Sequence, residues 1–310
     1  MVLQILILIA GLVLVVWGAD RLVDGASALA HRFGLSEFVI GLTIVGMGTS
    51  APEMVVSFIG AIQGNADISM GNVVGSNIFN TLLILGLTAL LLPMAVTPDN
   101  RKKDVPMNIL ITLLLIGLGL DGSLTRWDGA ILVAVFSLYM WYSFRSGSSE
   151  TSDEEDAPQE PVWKSILFIL LGLASLIFGG NFFVDSATDI AHALGVSDKF
   201  IAITILAGGT SLPELATCVA AAVKKKGQLA LGNIIGSNIF NILLILGGSA
   251  LIHPLSLAGI SYVDFGILFA SAVALMTACF IGKKNMLDRV DGVLFLLLFV
   301  AYMTYLIVNL

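Results

Sequence analysis

The sequence predicts an all-α polytopic membrane protein, with ten transmembrane helices in two inverted five-helix repeats and broken helices at the midplane. Composition is the first reason. Hydrophobic residues fill 57% of the 310 positions, charged residues only 12%, and the mean hydropathy is +0.97, whereas a soluble domain carries about 25% charged residues. The second reason is internal repetition, because a residue pattern of the first half returns 161 positions later. The third is a stretch, GTSAPE at Gly48 to Glu53, that puts a helix breaker and a carboxylate inside an apolar run and returns as GTSLPE at Gly209 to Glu214.

The net charge of −7 carries little information about partners. Six acidic residues, Glu150, Asp153, Glu154, Glu155, Asp156 and Glu160, share one loop, and the rest of the chain is left with −1. Neither an acidic surface nor a nucleic-acid-binding one follows. Cys218 and Cys279 both fall in apolar runs without metal-ligand spacing, so they read as small buried residues.

The repeat defines the domains. At one ungapped offset Gly11 matches Gly172, Asp24 matches Asp185, His31 matches His192, Gly34 matches Gly195, Glu53 matches Glu214, Gly71 matches Gly232, Asn80 matches Asn241 and Pro93 matches Pro254. Residues 1–144 form the first five-helix repeat and 164–310 the second, while 145–163 is a linker rich in Ser, Glu and Pro, too polar to fold, and cytoplasmic. Its acidic run lacks the glycine and ligand spacing of an EF-hand.

The apolar runs have about the length that crosses a hydrocarbon core of ~30 Å. In the first half they cover Val2 to Trp17 (continuing, polar-tipped, to Arg32), Val39 to Ile62, Ile68 to Leu92, Val105 to Leu120 and Trp127 to Phe144. In the second they cover Ile166 to Phe183, Phe200 to Val223, Leu229 to Ile252, Val263 to Ile281 and Val290 to Val308. The first run has no basic n-region and its counterpart is internal, so it reads as a span and not as a signal peptide. Five spans per half force the second half to enter from the opposite side. Loop charge agrees, since thirteen of the fifteen basic residues fall on one side and only Arg126 and Lys199 on the other. The positive-inside rule makes the first side cytoplasmic and both termini extracytoplasmic, in a plasma (inner) membrane. Trp127, Trp141, Tyr142 and Trp163 lie near span ends, where aromatic residues anchor the interface with the lipid bilayer.

Within GTSAPE, Pro52 removes a backbone donor and clashes with the preceding turn, so the helix should break and restart. Ser50-x-x-Glu53 could serve only as a capping box. A duplicated carboxylate at bilayer depth, however, costs ~2.5 to 3.5 kcal/mol on insertion scales unless it faces a cavity or partner. Broken helices at matching positions of inverted halves mark a transporter's binding site. A second motif, GNVVGSNIFN from Gly71 to Asn80, recurs as GNIIGSNIFN from Gly232 to Asn241. Four-residue spacing puts Asn72, Ser76 and Asn80 on one helical face and turns Asn77 away, leaving Gly71, Gly75 and Asn77 a packing role. Ser76, Asn80, Ser237 and Asn241 are therefore lining candidates beside Glu53 and Glu214. Carboxylate, hydroxyl, amide and freed carbonyl oxygens without thiolate or imidazole suit a hard cation such as Ca²⁺, which takes six to eight oxygens at ~2.3 to 2.6 Å.

This duplicated motif pair, across ten spans, resembles the cation/calcium exchanger superfamily, and most of all its prokaryotic sodium/calcium exchangers, over essentially the whole chain. The resemblance implies a secondary antiporter, not an enzyme. It would have midplane sites for Ca²⁺ and Na⁺ as transported ions, exchange three Na⁺ per Ca²⁺, need no cofactor and show no obligatory protein partner. It implies as ligands Thr49, Ser50, Glu53, Ser76 and Asn80, with Thr210, Ser211, Glu214, Ser237 and Asn241, plus the backbone carbonyls of Gly46 and Ala207. It also implies that the first and sixth spans slide across the other eight. Some sodium/calcium and potassium-dependent members carry Asp where this chain has Asn241, so the resemblance weakens the case for K⁺ dependence and leaves the site with two formal negative charges. Two carboxylates balance one Ca²⁺ and leave three Na⁺ with one excess charge, so exchange would be electrogenic. Ca²⁺/H⁺ antiport, K⁺-dependent exchange and, in another class, a cation channel stay open; an intramembrane hydrolase is disfavoured because Ser, Asp and His do not cluster.

Overall fold

The computed structural model describes residues 2–146, 161–195, 207–281 and 285–308. The acidic stretch of the linker and the first part of the predicted seventh span lie outside the described residues. In chain order the helices are α1 (Val2–Phe33), α2 (Glu37–Thr49), α3 (Ala51–Ile62), α4 (Ala66–Leu91), α5 (Asn100–Asp121), α6 (Arg126–Ser146), α7 (Val162–Ala193), α8 (Leu212–Val223), α9 (Gly227–Ile252), α10 (Tyr262–Ile281) and α11 (Arg289–Val308). Among the described residues eight helices are long and apolar enough to cross a membrane, and α2 with α3, bent by 48°, forms a ninth, broken span. The short apolar helix α8 follows the undescribed stretch.

Helix ends follow from local chemistry. After α1 the chain turns through Gly34 at φ +61°, which lets the Leu35 amide donate to the Ala30 carbonyl (2.9 Å). The matching Gly195 adopts φ +78° after α7. Ser36 then caps α2, its hydroxyl accepting from the Val39 amide at 3.2 Å. α3 ends the same way at Gly64 (φ +71°), but at the matching position after α8 stands Lys225, held at φ +60°.

The helices sort by burial. In α9, 94% of the span is buried inside the protein and in α4 72%, whereas α1, α5, α6, α7, α10 and α11 bury only 17% to 33% and turn apolar faces outward. α4 and α9 thus form the centre. α1 and α7 pack antiparallel along a seam of glycines: a Cβ on Gly11 would meet the Gly179 carbonyl at 2.8 Å, and one on Gly18 the Gly172 carbonyl at 2.8 Å. Such spacing brings two backbones into contact, as small residues do between membrane helices.

Four two-residue strands join the halves. β1 (Met94–Ala95) pairs antiparallel with β4 (Met286–Leu287), and β2 (Ser123–Leu124) with β3 (Leu255–Ser256). Backbone bonds extend both pairings, from Val96 to Asn285 (2.8 Å) and from Leu257 to Gly122 (3.0 Å). Trp127, Trp141 and Trp163 are each more than half exposed, as interface anchors are.

Candidate functional site

The break expected at Pro52 falls two residues earlier: Ser50 leaves helical geometry (φ −82°, ψ 10°) and Pro52 sits in the first turn of α3, where its missing N–H costs nothing. The second half repeats this at Ser211 (φ −85°, ψ 5°) and Pro213. Neither serine caps its helix with its side chain, so the capping-box role does not account for the motif. Instead the hydroxyls cross between halves. Ser50 Oγ donates to Glu214 Oε1 at 2.8 Å, and Ser211 Oγ to Glu53 Oε1 at 3.5 Å. Thr49 and Ser237 also lie against the Glu214 carboxylate, and Thr210 against that of Glu53.

Both carboxylates are fully buried, as are Thr49, Ser50, Ser76, Asn80, Ser211, Ser237 and Asn241; Thr210 is half-buried. The Gly46 carbonyl accepts from Ser237 Oγ (3.2 Å) and Thr49 Oγ1 (3.4 Å), which brings α2 and α9 together at the break. Ala207 opens a short helical turn, Ala207–Gly209, just before the second break. The helix carrying Glu53 packs on the turn beginning at Asn241, and the one carrying Glu214 on the turn containing Asn80.

Those two turns are the feature the sequence pattern did not reveal. α4 widens to i→i+5 hydrogen bonding over Phe79–Ile84, and α9 over Asn241–Leu246. Such wide turns gather at functional positions. Asn77, which helical spacing turns off the face of Asn72, Ser76 and Asn80, is 1% exposed and knits α4 to α9 through bonds to both Asn241 and Asn238. Positions three apart on a helix are neighbours, so Asn77 borders the face of Asn80. Its partner in the other half was not readable from spacing. Asn72 and Asn233 support the breaks, Asn72 donating to the Glu53 carbonyl (3.0 Å) and Asn233 Oδ1 accepting from Thr49 (3.2 Å).

The chemistry of the cluster lies in what is left without a donor. Glu53 Oε2, Glu214 Oε2, Asn80 Oδ1 and Asn241 Oδ1 are all buried and accept no hydrogen bond. Each such oxygen costs ~1 to 3 kcal/mol, more when charged, and the two carboxylates also repel each other. Each half thus contributes one carboxylate oxygen and one amide oxygen that no donor satisfies. Among the described residues no three His, Cys, Asp or Glu side chains converge, so most donors here are neutral oxygens.

A family model described as sodium/calcium exchanger protein matches residues 3–145 and 164–308. The putative antiporter CaxA of Alkalimonas amylolytica is 41% identical, over 97% of this chain and 98% of its own. The sodium/calcium exchanger MaX1 of Methanosarcina acetivorans is 34% identical, with 97% of each chain covered. A solved structure of the sodium-calcium exchanger NCX_Mj, soaked with 2.5 mM Na⁺ and 0.1 mM Ca²⁺, matches with a TM-score of 0.87 at 34% identity over 98% of both chains.

Proposed function

Because the chain belongs to the sodium/calcium exchanger protein family, we propose that it exchanges Na⁺ for Ca²⁺ across the membrane by alternating access, at a site built from Glu53 and Glu214. The observation that carries this reading is the set of four buried, donorless oxygens on Glu53, Glu214, Asn80 and Asn241. Hard cations are bound by such oxygens, and Thr49, Ser50, Thr210, Ser211, Ser76, Ser237 and the Gly46 and Ala207 carbonyls complete the proposed ligand set.

Two formal negative charges set the coupling. One Ca²⁺ neutralises them, and three Na⁺ overshoot by one charge. Because both kinds of ion depend on the same carboxylates, one displaces the other, and exchange rather than leak follows. The excess charge makes the cycle electrogenic, coupled to the potential by ~2.3 kcal/mol per 100 mV.

We read the architecture as ten spans in inverted halves, with α8 and the residues before it as the seventh. Strand pairing supports the inversion. The connection after α4 meets the one before α11, and the connection before α6 meets the one after α9. Third-to-fourth connections of one half therefore share a side with fourth-to-fifth connections of the other. The basic loops then face the cytoplasm and both termini lie outside.

Proteoliposomes loaded with Na⁺, K⁺ or a proton gradient separately would test the function. Outward Na⁺ gradients should drive ⁴⁵Ca²⁺ uptake, with charge movement that responds to an imposed potential. Uptake driven as well by protons in Na⁺-free buffer would replace Na⁺ with H⁺ as the coupling ion, and uptake without any counter-ion would mean a channel.

A further inference from the structure

We propose that Asn77 and Asn238 are positioning residues that fix which end of the Asn241 and Asn80 carboxamides faces the cations. This rests on the exchanger reading for Asn80 and Asn241, and concerns what makes them competent.

A carboxamide is an ambiguous ligand. Its oxygen attracts a cation and its NH₂ repels one, and a half-turn about the last side-chain bond exchanges them. Here the choice is made by crossed pairs between the central helices. Asn241 Nδ2 donates to Asn77 Oδ1 at 3.0 Å, and Asn80 Nδ2 donates to Asn238 Oδ1 at 3.3 Å. The four residues obey the repeat, Asn77 matching Asn238 and Asn80 matching Asn241.

The acceptors are themselves held. Asn77 Nδ2 donates to the Asn238 carbonyl at 3.2 Å, and Asn238 Nδ2 to Thr81 Oγ1 at 2.9 Å. With their NH₂ groups so occupied, both present oxygen to the partner half. Turning Asn241 or Asn80 over would set oxygen against oxygen in a buried site. Their NH₂ groups are therefore taken up by the opposite half, and their Oδ1 atoms are the ones left without a donor. All four asparagines are at most 2% exposed, so these bonds are shielded from bulk solvent.

A double-variant cycle separates positioning from simple packing. Ca²⁺-induced thermal stabilisation and ⁴⁵Ca²⁺ binding would be measured on purified protein carrying Asn77→Leu, Asn241→Asp, or both. Asn77→Leu keeps the branch point and the number of heavy atoms and removes the acceptor, and should weaken Ca²⁺ binding roughly tenfold, the scale of one buried hydrogen-bond partner. An aspartate at 241 has two equivalent oxygens and no NH₂, so there is no orientation left to control. In that background Asn77→Leu should cost less than about twofold, within the error of independent sites. Equal losses in both backgrounds, or no loss in either, would overturn the proposal. The mirror pair, Asn238→Leu with Asn80→Asp, repeats the test should Asn77→Leu not fold. Absence of Ca²⁺ binding by the unmodified protein would instead remove the exchanger reading itself.

Discussion

The Ser50 hydroxyl lies 2.8 Å from Oε1 of Glu214, whereas its repeat counterpart, Ser211, reaches Glu53 only at 3.5 Å. The two carboxylates are thus held unequally although the motifs that hold them are nearly identical. Ser50→Ala should therefore lower the rate of Na⁺-driven ⁴⁵Ca²⁺ uptake more than Ser211→Ala, by about tenfold against threefold, since a charge-assisted bond contributes ~1.5 to 3 kcal/mol and a stretched one less. Uptake assays on the two variants side by side check this; equal defects would mean that the difference in length has no energetic weight.

Neutralising either carboxylate should move stability and binding in opposite directions. Without cations, burying Glu53 and Glu214 side by side sets their charged forms against each other, so Glu53→Gln or Glu214→Gln should raise the thermal unfolding midpoint of the ion-free protein. The same substitutions should weaken Ca²⁺ binding by roughly a hundredfold or more, from the ~3 to 5 kcal/mol lost when one partner of a buried charge pair is removed. Unfolding curves with and without Ca²⁺ read both effects; destabilised, ion-free variants would contradict the proposed strain.

The seam between α1 and α7 admits no side chain. A Cβ on Gly172 would sit 2.7 Å from the Leu22 amide nitrogen and 2.8 Å from the Gly18 carbonyl, and backbone atoms cannot yield as a flexible side chain can. Gly172→Ala should therefore push the two helices apart at a cost of ~1 to 3 kcal/mol. Because none of the seam glycines is among the proposed ligands, turnover in flux assays should fall while Ca²⁺-induced thermal stabilisation persists. Loss of both would place the seam in the binding site's own support.

Lys225 occupies a backbone conformation that its counterpart Gly64 adopts freely, and it stands between two engaged lysines. Lys224 pairs with Asp20 (2.6 Å) and Asp24 (2.5 Å) of α1, and Lys226 with Glu37 (2.8 Å). The matching residues Gln63 and Asn65 carry no charge. Lys225→Gly should stabilise by roughly 1 kcal/mol by relieving the left-handed strain. Lys224→Gln should release α1 on that side, and since half-exposed pairs contribute ~1 kcal/mol or less, Ca²⁺ affinity measured from that face should change by no more than about fivefold. Sided flux measurements in oriented vesicles would detect the shift, and an equal change from both faces would argue against a one-sided restraint.

Much of the site was legible in the sequence because its chemistry is expensive. A carboxylate and a proline in an apolar run have few structural uses, and the repeat turned one such anomaly into a pair, so Glu53 and Glu214 stood out before any coordinates. The wide turns at Phe79–Ile84 and Asn241–Leu246 did not, since nothing in the spacing of their residues marks a change from i→i+4 to i→i+5 bonding. The cross-helix bonds of Asn77 and Asn238 are not legible for a related reason. Helical periodicity reports the face a residue occupies on its own helix and says nothing of a partner 164 positions away, such as Asn241 for Asn77. The two-residue strands are likewise too short to leave a period.

Those strands constrain how the protein can move. At each end of the molecule a connection from one half is stitched by backbone bonds to a connection from the other, through Met94 with Leu287 and through Ser123 with Ser256. Two clasps at opposite rims prevent the halves from opening like the covers of a book, because parting either rim would break ladder bonds. On the alternating-access reading, access to the carboxylates from the two sides is expected to come from elements outside the stitched body, such as α1 and α7, which neither clasp includes.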